Sequence, residues 1–163
     1  MNKLFLSLHV LAAIITVGPV TVAASMFPAT LRRALGHAGA GGGSGVSDAR
    51  TTLRTLHRIC RVYAGIGTAV PLFGFVTASG LGVLGDAWLI TSILLTALAA
   101  CVLALFILPG QDRALAEVAG LPTASAPTSP QPGRLAMLTG VFNLLWATVT
   151  VLMVVRPGST TGV

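Results

Sequence analysis

The run WLITSILLTALAACVLALFIL at residues 88–108 decides the fold, because no charged side chain interrupts it. An α-helix rises about 1.5 Å per residue, so roughly 20 apolar residues cross the hydrocarbon core of a bilayer. Three further runs of the chain have this length and character. The sequence therefore predicts four transmembrane spans, at about residues 4–27, 62–84, 88–108 and 135–155.

The composition of the 163-residue chain agrees with a membrane protein. Hydrophobic residues make up 54% of it and charged residues 9%, with a mean hydropathy of +0.89, whereas soluble domains carry roughly 25% charged residues. These values exclude a soluble globular enzyme. They also exclude a disordered chain, which needs low hydrophobicity and high net charge. We predict an all-α polytopic membrane protein, a single domain over residues 1–163 built as an up-and-down bundle of four transmembrane helices.

The first span has a second interpretation. Lys3, the apolar run after it and the small residues Val22, Ala23 and Ala24 ahead of Ser25 resemble a secretory signal with its cleavage site. We interpret the segment instead as a transmembrane helix that stays in the protein.

Basic residues are distributed unevenly between the two sides of the predicted bundle. Lys3 and Arg156 lie on one side, and the two long loops on the other side hold the remaining eight basic residues: Arg32, Arg33, Arg50, Arg54, Arg58, Arg61, Arg113 and Arg134. By the positive-inside rule both long loops are cytoplasmic and both termini are extracytoplasmic. The bias toward Arg over Lys is typical of GC-rich bacterial genomes such as those of actinobacteria, so we expect a multi-pass protein of a bacterial plasma membrane.

The two long loops differ in composition. Residues 36–46 read GHAGAGGGSGV and predict a flexible glycine tether. No Gly-Lys-Ser/Thr pattern follows them, so this segment is not a phosphate-binding loop. Residues 120–133 contain four prolines and predict an extended, semi-rigid segment.

A basic stripe precedes the second span. From Ser47 or Asp48, either a suitable N-cap, the sequence predicts one helix that continues from about residue 48 into the span. Five residues then share a face roughly 100° wide: Arg50, Arg54, His57, Arg58 and Arg61. One interpretation is that these residues set the orientation of the chain in the membrane and bind anionic phospholipid headgroups. The other is a docking face for an acidic partner subunit or for the propionates of a cofactor.

His9 is an ionisable residue inside the first span, and such residues suggest function by default. The alternatives are a neutral histidine bonded to a neighbouring helix, a haem or copper ligand, and a proton-handling group. His57 is not a second haem ligand to His9, because the predicted topology places the two roughly 20 Å or more apart in depth.

No catalytic or metal-binding set is evident in the sequence. The four acids, Asp48, Asp86, Asp112 and Glu117, all lie outside the spans, which argues against a proton-coupled transporter of the usual kind. The two cysteines cannot form a disulfide framework or supply a zinc site. We attribute the net charge of +6 to the basic residues that orient the chain in the membrane, so we expect no nucleic-acid partner.

The spans carry residues suited to helix packing. Gly65, Gly74 and Gly140 allow close approach of helices, and Asn143 is expected to bond across a helix interface. Pro19 and Pro71 are expected to kink the first and second spans.

Part of the sequence resembles a known family. The run LFLSLHVLAAII at residues 4–15, followed by Gly18 and then by Arg32 and Arg33, resembles the opening helix of a large bacterial family of predicted four-helix integral membrane proteins with no assigned function. The second helix, which is rich in glycine, is similar too, so the resemblance covers most of the chain.

The same Leu-His-Val opening is similar to that of HemJ-type protoporphyrinogen oxidases and of copper-resistance D-type membrane domains. In those families the first-helix histidine is associated with haem or copper, and His9 is the matching position. The chain also resembles, loosely, small actinobacterial four-helix accessory subunits of respiratory supercomplexes.

We therefore expect a non-catalytic accessory or assembly subunit of a larger plasma-membrane complex, with a cytochrome-containing respiratory assembly as host and no cofactor of its own. Its partners would be other membrane subunits and anionic phospholipid. The alternative is a haem- or copper-handling protein centred on His9. A solute transporter or channel is disfavoured, because Asn143 and the threonines of the spans, Thr16, Thr21, Thr91, Thr96 and Thr139, are too few and too weakly polar to line a path.

Overall fold

The computed structural model describes residues 2–39, 41, 43–120 and 131–158, with side chains from Leu4 onward. These residues form helices α1 (Asn2–Gly39), α2 (Gly43–Ile66), α3 (Ala69–Leu81), α4 (Ala87–Cys101), a π-helical segment (Val102–Ile107), α5 (Leu108–Val118) and α6 (Pro132–Val155). No strand occurs among them. Four stretches are long and apolar enough to cross a membrane: Leu4–Gly39, Gly43–Leu81, Ala87–Val118 and Pro132–Val155. The predicted all-helical fold with four spans is confirmed.

The surface and the core have the distribution expected in a bilayer. Large apolar side chains such as Leu94, Leu144 and Val154 are between 66% and 77% exposed, and lipid solvates such surfaces where water would not. The core lies between the helices, where Phe27, Leu31, Leu53, Ile107 and Phe142 are almost completely buried: each is 0–2% exposed.

The second span is interrupted, whereas the sequence predicts one helix from residue 48 through to residue 84. Pro71 lacks an N–H group and its ring would collide with the carbonyl four residues earlier, at Gly67. The chain avoids this collision with a tight turn at Gly67 and Thr68, where the Val70 N–H donates to the Gly67 carbonyl at 3.1 Å. The expected kink is therefore a full break between α2 and α3.

A proline also explains the wide turn in the third span. Pro109 lies just beyond the π-helical segment Val102–Ile107, and in a regular α-helix its ring would collide with the carbonyl of Leu105. In the wide turn the Leu108 N–H donates to the carbonyl of Leu103, five residues back. Beyond it the helix continues as α5 to Val118, so the loop predicted to begin at residue 110 is wrong.

The prediction of a flexible glycine tether over residues 36–46 is also wrong for residues 36–39 and 43–46, which are helical. α1 continues to Gly39 and α2 already begins at Gly43, with Gly41 between them in the left-handed conformation (φ 71°). Glycine costs about 1 kcal/mol in a helix, but apolar packing between the two helices outweighs that cost. Gly45 serves close approach, because a Cβ there would lie 3.1 Å from the ring of His37. Of the predicted segment 120–133, residues 121–130 lie outside the described residues.

Three of the four apolar stretches are longer than a bilayer core needs, at 36, 39 and 32 residues. α1 has 38 residues, or about 57 Å at helical rise, against a core of about 30 Å. The last part of α1, the first part of α2 and α5 pack together at one end of the bundle, around Leu31, Ala34, Leu53, Leu56 and Ala114. This three-helix cap extends the bundle beyond its membrane-crossing part.

Candidate functional site

The end of the bundle that carries the cap is strongly basic. Seven arginines are exposed there: Arg32, Arg33, Arg54, Arg58, Arg61, Arg113 and Arg134. We call this set the arginine end. In the part of the chain that the structure describes, the one contact between a basic and an acidic side chain joins His57 to Asp112, so none of the seven has a carboxylate partner within that part. The arginines of this end outnumber the three acids of the cap, Asp48, Asp112 and Glu117, so the arginine end carries a net positive charge.

Arg50 differs from its neighbours in the predicted basic stripe. It is half-buried, and its Nη2 donates a hydrogen bond to the carbonyl oxygen of Val118. Val118 is the last residue of α5, and a cation at a helix C-terminus is favoured by the helix dipole. Arg50 therefore ties α2 to α5.

The predicted stripe is wrong at His57. This residue is buried (7% exposed) and does not lie on the outer face of α2. Its Nδ1 lies 3.0 Å from Gln111 Oε1. Its Nε2 lies 2.9 Å from Asp112 Oδ1, at an angle that does not make a hydrogen bond. Gln111 completes the group by donating from Nε2 to Cys60 Sγ at 3.7 Å. This buried polar cluster fixes α5 against α2.

The part of the predicted stripe that remains exposed on α2 consists of Arg54, Arg58 and Arg61. The polar cluster and the Arg50 bond hold the helix behind these residues in one position. A row of guanidinium groups on such a helix suits bidentate binding of carboxylates or phosphates.

His9 lies far from the arginine end along the first span and packs against α3. Its Nδ1 is 2.8 Å from the backbone carbonyl oxygen of Val70, so this nitrogen carries the proton and donates. Gly74 makes room for the ring, since a Cβ at that position would lie 2.8 Å from His9 Cε1. Among the residues described, no group of three or more His, Cys, Asp and Glu side chains could hold a metal ion.

The four residues predicted to pack helices have different surroundings. Gly74 contacts His9, as above. Asn143 Nδ2 donates to Ser25 Oγ at 3.2 Å and so joins α6 to α1, while its buried Oδ1 has no partner among the residues that the structure describes. Gly65 and Gly140 face open space, since a Cβ added at either position would meet no side chain and no neighbouring helix within 4 Å. These two glycines therefore do not mediate packing within the described part of the chain.

Two features of the structure have weak signals or none in the sequence. Gln111 lies in a predicted loop, although Leu108, Gln111, Ala114 and Leu115 have helical spacing that could have indicated an amphipathic extension. The other feature is a cavity of about 170 Å³ between the helices, lined almost entirely by apolar groups, which includes Tyr63 and Trp146 in its wall. No pattern within one segment of the sequence predicts a cavity whose wall comes from four separate spans.

No family model, curated protein or solved structure matches this chain. What the protein does must therefore be inferred from its own residues.

Proposed function

We propose that this protein is a non-catalytic accessory or assembly subunit of a larger plasma-membrane complex, and that it docks to its partner through the arginine end. Its host is a cytochrome-containing respiratory assembly. The observation that carries the proposal is the row Arg54, Arg58 and Arg61, which is exposed, lies on a helix that α5 holds in place and has no carboxylate partner in the described chain.

Anionic lipid alone does not account for the whole row. Each arginine near an anionic membrane surface contributes about 1 kcal/mol, and this attraction fades over a Debye length of about 8 Å. Arg54 precedes Arg61 by seven residues, or about 10 Å along a helix that runs along the membrane normal. Arg54 is therefore too far from the surface to gain much from lipid, and an acidic protein surface is the better ligand for it.

The test is purification of the tagged protein in mild detergent, followed by mass spectrometry of the proteins recovered with it. We expect stoichiometric recovery of respiratory subunits with the wild-type chain. Arg54→Gln with Arg58→Gln should reduce that recovery at least tenfold. The control is Thr52→Glu with Thr55→Glu, which changes the net charge by the same two units on another part of the exposed surface of α2.

Each result has a clear meaning. Loss in the arginine variant and retention in the threonine variant supports a specific docking face. Equal loss in both variants would show that only overall charge matters, and recovery of the wild-type protein alone would overturn the proposal. Release of anionic phospholipid, with the protein partners retained, would assign the row to lipid.

A haem-binding function for His9 is the second candidate, supported by one observation. The His9 Nδ1–H is bonded to the Val70 carbonyl, and histidines that ligate a metal through Nε2 commonly hold the other ring nitrogen in this way. One histidine could supply an axial ligand to haem. A copper ion would need further ligands, and the described residues offer no cluster of three.

The second candidate predicts an absorption spectrum. Protein purified from cells, or reconstituted with haem, should show a Soret band that His9→Ala abolishes and His37→Ala leaves unchanged. A colourless wild-type protein that takes up no haem would overturn this candidate and leave the docking proposal untouched.

A further inference from the structure

The two interrupted spans meet at one cavity inside the bundle. Gly67 and Thr68 of the break between α2 and α3, and Leu103 of the π-helical segment, all line this cavity of about 170 Å³. Helix breaks and π-helical turns inside a membrane cost regular hydrogen bonds, and they occur often at binding sites. Both interruptions therefore place irregular backbone beside the same space.

The size of the cavity indicates which class of ligand fits into it. An apolar cavity of about 150 Å³ stays dry and binds one benzene molecule. The cavity in this protein, at about 170 Å³, accommodates a single six-membered ring. The cavity is half-open and is walled by the apolar spans, among them Thr16, Thr96 and Phe142, so a ligand can enter it from the lipid phase.

Two side chains of this mainly apolar wall, Tyr63 and Trp146, carry a polar group. In the described part of the chain, neither the Tyr63 hydroxyl nor the Trp146 indole N–H makes a hydrogen bond. Both are donors. The threonine hydroxyls of the wall differ, because Thr16, Thr68 and Thr96 each donate to a carbonyl of their own segment.

Two unpaired hydrogen-bond donors in an apolar wall favour a ligand whose ring carries a hydrogen-bond acceptor. We propose that this cavity binds the headgroup of a quinone-type membrane molecule, a six-membered ring with carbonyl oxygens and an apolar tail. The ring lies against the aromatic pair Phe142 and Trp146, whose centroids are 6.4 Å apart. Its carbonyl oxygens accept from Tyr63 and Trp146, and the tail extends into the lipid. This site is independent of the docking proposal.

The fluorescence of Trp146 can be used to measure binding, because the chain contains only one other tryptophan. Trp88 packs in a separate cluster with Ala78 and Leu89. In Trp88→Phe protein, decyl-benzoquinone should quench the remaining fluorescence with a saturable component. In Trp146→Phe protein, only the linear quenching due to partition into the detergent micelle should remain.

Variants of the wall define the site. Ala100 lines the cavity and is exposed, so Ala100→Leu should fill the entrance without disturbing the core and weaken binding at least tenfold. Ala97→Leu, on the same helix, exposed and outside the cavity, is the matched control and should bind normally. Tyr63→Phe removes one donor and should weaken binding roughly two- to tenfold. Decylbenzene, which has ring and tail without carbonyls, should displace the quinone only weakly.

Three outcomes would overturn the proposal. They are linear quenching alone in the Trp88→Phe protein, unchanged binding in Ala100→Leu, and displacement by decylbenzene as effective as displacement by a second quinone. In the last case the cavity would bind apolar chains or rings without recognising a carbonyl.

Discussion

At the scale of single residues, the polar cluster of the cap decides how the arginine end is presented. His57, Gln111 and Cys60 are all buried, and each has a polar neighbour within the cluster. Buried polar groups of this kind are costly when unpaired, so they favour the one arrangement of α2 and α5 that pairs them. The proposed docking face on the outside of α2 therefore depends on residues that are buried inside the cap.

Gln111→Leu is expected to destabilise the cap. The substitution introduces an apolar side chain of similar length but leaves His57 Nδ1 without its partner, so the folded state should lose about 1–3 kcal/mol. The measurement is the free energy of unfolding in detergent, followed by tryptophan fluorescence. Gln131→Leu is the control, since Gln131 is exposed and should change stability very little. Equal stability of the two variants would show that the cluster does not hold the cap together.

His57 also shows how far the spacing of residues along a helix predicts whether one of them is exposed. The spacing of the stripe correctly places Arg54, Arg58 and Arg61 on a common exposed face. His57 lies at the edge of that face, toward Leu53 and Cys60, and only the neighbouring helix decides whether such an edge is covered. Because the sequence predicts a loop where α5 lies, it offers no helix that could cover this edge.

At the scale of helices, hydropathy predicts where the spans lie but not how far the helices continue. The four apolar runs have a strong signal because each is long enough to cross a bilayer. The extensions at Gly36 and beyond Gly110 have weak local propensity, and they are helical because apolar residues such as Leu31, Leu53 and Ala114 bury one another across the cap. Such tertiary stabilisation is not visible in one segment at a time.

The π-helical segment gives a prediction for a one-residue deletion. A turn closed by a bond to the fifth residue back holds one residue more than an α-turn, so deleting the exposed Leu105 should convert it to a regular turn and keep α5 in register. Pro109→Ala in the same chain removes the collision that the wide turn avoids. We expect this combined variant to fold with a thermal midpoint within several degrees of the wild type.

The matched control deletes Met137, which is also exposed but lies in α6, a regular helix with no π-helical segment that could absorb the deletion. With Pro109→Ala present here as well, every later residue of α6 rotates by about 100°. Thr139, Phe142 and Val149 would leave the core, so this variant should fail to fold. If both deletions were equally damaging, the wide turn would not be a separable insertion in the helix.

At the scale of the whole molecule, charge and helix length together describe an asymmetric protein. The arginine end carries seven exposed arginines, which lie on α1, α2, α5 and the start of α6. The other end carries the short turn at Gly85 and the pair of Arg156 and Trp88, in which the guanidinium carbon lies 5.7 Å from the ring centroid. An acidic partner is therefore expected on one side of the membrane only.

The positive-inside rule predicts that this side is the cytoplasm, and cysteine labelling tests it. Cys60 is completely buried, so Cys101→Ser gives a background that a water-soluble maleimide should not modify. Thr55→Cys reports on the arginine end and Gly85→Cys on the opposite turn, and both positions are exposed. In intact spheroplasts Gly85→Cys should react and Thr55→Cys should react only after permeabilisation. The reverse pattern would place the arginine end outside, where an acidic cytoplasmic partner could not reach it, and the docking proposal would then require an extracytoplasmic host surface.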